Sequence, residues 1–181
     1  MKTPILLAVL ALTIGSAYAE EGLKDQTKPQ VAATDTSFLT EAWRRGQTEV
    51  KMSELATRQA GSPAVKELGD RMMVEHSRMN EELKAIAKQK AVNIWGDPDN
   101  IRLSELRQLS GDAFDRAYLA EVVKHHEKAI ADFDTALKGS SDPDVKAFAS
   151  RNLAGLRAHL AMVKKLSTPE AVAPAKAASR L

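Results

Sequence analysis

The chain carries one apolar stripe twice. Val65, Leu68, Met72, His76, Met79, Leu83 and Ile86 follow one another at steps of three or four residues, the period of a helix face turned toward a core. Adding eighty to each position gives Val145, Phe148, Asn152, Leu156, His159, Val163 and Leu166, with identical steps. The stretches before them match too: Leu39, Ala42, Gly46, Glu49 and Ser53 correspond to Leu119, Val122, His126, Ala129 and Phe133. Pro63, Val65, Lys66 and Arg71 recur as Pro143, Val145, Lys146 and Arg151. The chain is a duplicated unit, and each unit must form helices.

Local signals delimit four long helices. The first is expected to begin near Asp35, Thr36 and Ser37, where a short polar side chain can cap free N–H groups, and to end at Gly61. Ser62 and Pro63 supply a cap followed by proline at the first helical position, and the second helix runs to about Lys90. The third starts near Gly111 and Asp112 and reaches Lys138, before Gly139, Ser140 and Ser141. Asp142 and Pro143 repeat the cap-plus-proline start of a fourth helix that runs to about Leu166.

Two helical hairpins that each leave an apolar face uncovered bury those faces on one another, which predicts an all-α four-helix bundle. The connection from Ala91 to Gly111 is about twenty residues, against the ~2–8 usual between adjacent antiparallel helices. It contains a short helical stretch from Ile101 to Leu109. A link of that length can run the length of the bundle, so the expected topology is the crossover of ferritin-like folds.

Residues 1–19 read as a secretory leader: Lys2, an apolar run from Ile5 to Ile14, and Ala17, Tyr18 and Ala19 as a small-residue cleavage site before Glu20. The run is shorter than the ~20 apolar residues of a membrane span. The expected organisation is a leader over 1–19, flexible segments over 20–34 and 167–181, and the bundle over 35–166. A periplasmic or secreted protein without a transmembrane segment follows. Lys plus Arg number 26 against 24 Asp plus Glu, and the basic residues are scattered without interleaved aromatics, which argues against a nucleic-acid partner. The absence of cysteine removes disulfides and thiolate metal sites.

One polar residue per helix lies on the inward stripes: Glu49, His76, His126 and His159. Glu49 and His76 stand fourteen and thirteen residues from Pro63, and at ~1.5 Å per residue both lie roughly 20 Å from the first turn. His126 and His159 stand seventeen and sixteen residues from Pro143, roughly 25 Å from the second turn by the same rise. In a bundle of about 40 Å the two pairs fall within one helical turn of each other. Three imidazoles and a carboxylate form a donor set for zinc, copper or iron. Met72 and Met79 flank His76, and Met162 follows His159, so thioethers suited to copper(I) are near, although methionines at such spacing also simply fill a core. The competing reading is an internal hydrogen-bond network in which Glu49 partners His76 and the histidines only fix helix packing. His125, at the stripe's edge, is expected to be partly exposed.

Several motifs carry a family resemblance. The runs Glu67 to His76, Phe114 to Tyr118 leading to His126, Val145 to Ala149, and Leu156 to Leu160 together resemble the exported bacterial family known as domain of unknown function 4142. The resemblance implies a ferritin-like bundle and an envelope location, and no established activity. The stretch Val122 to Ile130, which contains His125 and His126, is also similar to a His-His motif of another exported helical family linked with copper handling. Ferritin-type di-iron sites use Glu-x-x-His on two helices, whereas Met73, Val123 and Leu156 stand three before the histidines here. No nucleophile triad, phosphate loop or carboxylate pair marks an enzyme. The function expected is therefore an exported binding module, with a structural or interaction protein of the cell envelope as the alternative. Sequencing the N-terminus of the exported protein should read from near Glu20; an intact Met1 would contradict the leader.

Overall fold

The computed structural model describes residues 31–168, so the expected leader, most of the N-terminal segment and nearly all of the C-terminal tail lie outside the described residues. Five helices are present among them: α1 (Ala33–Gln59), α2 (Pro63–Gln89), a short α3 (Asn100–Arg107), α4 (Gly111–Gly139) and α5 (Pro143–Leu166). The four long helices are those the periodicity predicts. None is long and apolar enough to cross a membrane.

Helix contacts fix the topology. Helix α1 packs on α2 and α4, and α5 packs on α4 and α2, so the order around the bundle is α1, α2, α5, α4. Ser140, after α4, bonds Asp35 at the start of α1, while Ala60 at the end of α1 pairs with Gly111 at the start of α4. Lys90, after α2, lies 2.7 Å from Asp142 and 2.8 Å from Asp144 at the start of α5. Every neighbouring pair is therefore antiparallel, and α2 and α4 run parallel on a diagonal. Residues 90–110 must then travel the whole length of the bundle. They do so along α1 and α4: the Asp99 N–H donates to Thr48 Oγ1 and Gln59 donates to the carbonyls of Arg107 and Leu109, and Arg102 pairs with Glu121 of α4. The fold is the expected ferritin-like bundle of two hairpins with a long crossover.

The helix starts depart from expectation in an instructive way. Helix α1 begins at Ala33, and Ala32 makes no side-chain cap; Ser62 makes none either, whereas Asp142 does accept from the N–H groups of Asp144 and Val145. The N–H groups of Val65 and Lys66 bond the Ser62 carbonyl, and the turn before α2 is held by Asp115, whose carboxylate accepts from Gly61 N at 3.0 Å and Ser62 N at 2.8 Å. Asp35, its partner in the eighty-residue repeat, accepts from Ser140 Oγ at 2.9 Å. Each hairpin thus holds the other's turn with a buried aspartate, at opposite ends of the bundle. Glycine is required at the first turn, because a Cβ on Gly61 would lie 2.9 Å from the Cα of Gly111. Gly111 itself sits at φ 58°, where a Cβ is strained.

Two apolar clusters fill the interior. One joins Met52, Leu68, Met72, Phe114, Tyr118 and Val163 near the first turn. The other joins Leu39, Leu83, Phe133, Val145, Phe148 and Leu156 near the second. Replacing Asp115 with Ala leaves two backbone donors at the first turn without their acceptor and should destabilise the bundle by ~1–3 kcal/mol, while Asp35→Ala, which removes one bond, should cost less; urea unfolding of both variants measures the difference.

Candidate metal centre

The stripes are apolar on both sides of one level. On α2 the apolar positions break between Met72 and Met79, on α4 between Val122 and Ala129, and on α5 between Leu156 and Val163. His76, His126 and His159 fill those gaps, at 3%, 1% and 3% exposure, and Glu49 of α1 stands beside them at 1%. The polar layer separates the two apolar clusters. Within the repeat, His76 pairs with Leu156, His126 with Gly46, His159 with Met79 and Glu49 with Ala129. At each equivalent pair one unit supplies the polar group and the other an apolar or small residue.

The three imidazoles converge. Their ring centroids are 5.3, 5.5 and 5.4 Å apart, and one nitrogen from each lies within 4.8 Å of the others. Outer partners determine which nitrogens face inward. His126 Nδ1 lies 3.0 Å from the carbonyl of Val122. A carbonyl only accepts, so Nδ1 carries the proton and Nε2 a lone pair. His159 Nε2 lies 2.7 Å from Glu75 Oε2, and by the same argument Nε2 carries a proton and Nδ1 is the nitrogen turned inward. Those two inward nitrogens, His126 Nε2 and His159 Nδ1, are 3.4 Å apart. An electrophile shared between them, a proton on His159 Nδ1 or a metal ion, suits this approach. Both nitrogens of His76 are buried with no hydrogen-bond partner among the described residues.

Glu49 occupies the other side of His126. Its Oε1 is 3.7 Å from His126 Nδ1 and 3.1 Å from His125 Nδ1. The latter pair lacks hydrogen-bond alignment, and both Glu49 oxygens and His125 Nδ1 are buried without a hydrogen-bond partner among the described residues. The contact is thus electrostatic. The pairing of Glu49 with His76 expected of an internal network gives way to this contact with His125. His125 is partly exposed as expected, but the nitrogen that matters is buried, because its ring folds back toward α1. All four histidines of the chain consequently lie in one cluster.

Glu75 is the site residue that helical periodicity misses. It precedes His76, off the inward stripe and 36% exposed, and reaches His159 of α5 while its other oxygen accepts from Arg71 at 2.8 Å. A carboxylate holding the outer nitrogen of an imidazole is the usual second layer of a metal site. Met72 is wholly buried, Met79 lines the cavities beside His76, and Met162 is partly buried against the first apolar cluster.

Burial sets the electrostatics. Desolvation drives the His76 imidazole down to about 3, with Glu49 opposing and the other imidazoles reinforcing the fall. Desolvation also lowers His126. Burial alone would raise the Glu49 carboxyl; His125, His126 and His76 outweigh it and hold the group below its ordinary value. Glu75 is held low too, since His159 and Arg71 outweigh its partial burial. The imidazoles of His76 and His126 are therefore neutral near pH 7, the form that binds metal.

Residues 20–166 match the family described as Domain of unknown function (DUF4142). The chain belongs to the DUF4142 family. Solved structures with the same fold include a DUF305 fragment from Deinococcus radiodurans, at TM-score 0.68 and 13% identity, covering 77% of this chain and 98% of that one. CopM in its Cu(I)-bound form matches at TM-score 0.64 and 20% identity over 74% of this chain and 95% of that one. A conserved hypothetical protein from Mycobacterium tuberculosis, rv2844, matches at TM-score 0.62 and 15% identity over 80% and 96%. Among curated proteins, none matches the sequence significantly.

The His76 environment has a measurable consequence in this DUF4142 protein. As the pH falls below the ordinary imidazole value of 6.5, the unfolded chain takes up a proton that folded His76 refuses until about 3. Stability is full above that window and drops within it, at a slope on the order of 1 kcal/mol per pH unit for one proton. Urea unfolding in chelator from about pH 8 to about pH 4 should show this slope, and His76→Leu should reduce it, leaving the share of His126, whose imidazole burial also lowers.

Proposed function

We propose that the protein is an exported binding module for one transition metal ion, held by His76, His126 and His159, with Glu49 as the carboxylate behind the His126 ring. The observation that carries this reading is the convergence of the three imidazoles, with one nitrogen of each within 4.8 Å of the others and His126 Nε2 and His159 Nδ1 3.4 Å apart. Metal–imidazole bonds of ~2.0–2.1 Å at a tetrahedral angle place two ligand nitrogens roughly 3.3–3.4 Å apart. A hydrogen-bond network without metal does not account for the two buried, unpartnered nitrogens of His76.

Zinc, copper and iron all accept imidazole donors. Copper has the further support of the fold's likeness to CopM, whose structures include Cu(I)-, Cu(II)- and Ag-bound forms, and of Met79 beside His76. Export rests on the leader-like residues 1–19 and places the protein in the periplasm or the secreted fraction, with cleavage before Glu20 and a bundle domain over 35–166. The alternative, a structural protein of the envelope whose histidines fix helix packing, makes the opposite prediction for metal addition.

A ligand that binds only the folded state stabilises it by mass action, by about 2.7 kcal/mol at a hundredfold excess over Kd. Titration with copper(I), copper(II), zinc or iron(II) should raise the melting temperature to a plateau at one equivalent for the cognate ion, and His126→Ala should abolish the increment. A melting temperature unmoved by all four ions, with His126→Ala merely destabilised by ~1–3 kcal/mol, would leave the structural reading.

A further inference from the structure

The imidazoles are at most 3% exposed, so any ion must reach them through a groove between two helices. A four-helix bundle has four such grooves. Two lie within the hairpins α1–α2 and α4–α5, where the helices pack most extensively. The α1–α4 groove is crossed by residues 90–110 at the level of the site: Asp99 bonds Thr48, next to Glu49, and Arg102 pairs with Glu121, one turn from His125. Among the described residues the α2–α5 groove has no such cover. A cleft of about 40 Å³ opens there, with His76 and His159 at its inner end, Glu75 and Gly155 at its rim, and Arg78 and Arg151 beside them, Arg151 being paired with Glu82. That volume holds a water or a bare ion, for which ~10–15 Å³ suffices.

Glu75 and Gly155 are equivalent positions of the repeat, eighty residues apart. On α2 the position carries a carboxylate; on α5 it carries nothing, and a Cβ built on Gly155 meets no atom within 4 Å. Glycine inside a solvent-facing helix costs ~1 kcal/mol relative to alanine, and no close contact explains it here. Its effect is to leave the rim open opposite Glu75. Among the described residues, Glu75 is the one carboxylate that is both in solvent and in contact with a triad ring, at 2.7 Å from His159 Nε2.

Building on the metal reading, we propose that the α2–α5 cleft is the path by which a transition metal cation enters and leaves the triad, with Glu75 as the oxygen donor it meets first and Gly155 as the position that keeps the path open.

The chain has no cysteine, so Gly155→Cys gives a unique handle on a protein that is already folded. The variant is capped through a mixed disulfide with either a methyl or a benzyl thiol, and copper(II) uptake and chelator-driven release are followed by stopped flow. The benzyl cap should slow both rates by about tenfold or more, equivalent to on the order of 1.4 kcal/mol in each barrier, while the methyl cap leaves rates near those of the parent and both capped forms keep the parent's Kd. Gly155→Phe should behave like the benzyl form, and melting curves confirm that each variant is folded. Equal rates for the two caps overturn the path and leave the metal site standing. Failure of the parent to bind copper(II) at equilibrium overturns the copper reading and this inference with it.

Discussion

A single layer of desolvated polar side chains governs this bundle. Glu49, His76, His126 and His159 sit where leucines would close the core, and burying such groups without partners costs several kcal/mol each. The two apolar clusters on either side supply the burial that offsets this, and they also enforce it: with close packing above and below, the polar layer has nowhere to move. The site is thus prepared by the fold before any ligand arrives.

The duplication explains how such a layer is held in place. Each hairpin is an incomplete core, and the two are locked by equivalent aspartates, Asp35 on the second turn and Asp115 on the first. The approximate twofold relation brings equivalent positions to one level, so that Gly46 and His126, Glu49 and Ala129, His76 and Leu156, and Met79 and His159 share it. Divergence within those pairs put a polar group in only one unit each time. The crossover then covers the α1–α4 groove and leaves the α2–α5 groove open, which gives the centre a closed side and an accessible side.

The placement of carboxylates makes the centre directional. Glu49 is enclosed among imidazoles, and Glu75 approaches from solvent to hold the outer nitrogen of His159. The Val122 carbonyl does for His126 what Glu75 does for His159. Each holds a ring's outer nitrogen and turns the other inward, and His76, without any such partner among the described residues, is left with both nitrogens available.

Much of this was readable in the residues alone, for local physical reasons. Helix period, proline at the first helical position and the eighty-residue recurrence are properties of neighbouring residues, so the four long helices, the two hairpins and the long link follow from them. The common level of Glu49, His76, His126 and His159 follows as well, because axial height along a helix is a simple product of residue count and rise. What those residues do to one another does not follow, since it depends on how each helix is rotated and which helix becomes its neighbour. Hence Glu49 meets His125 where His76 was expected, the first turn is held by Asp115 of the other hairpin, and Glu75, off the inward face of α2, becomes part of the site only because α5 packs beside it. The recurrence of Asp35 as Asp115 was visible, but that each clasps the opposite hairpin's turn is decided by antiparallel packing between segments about fifty and a hundred residues apart, a distance over which local periodicity carries no information.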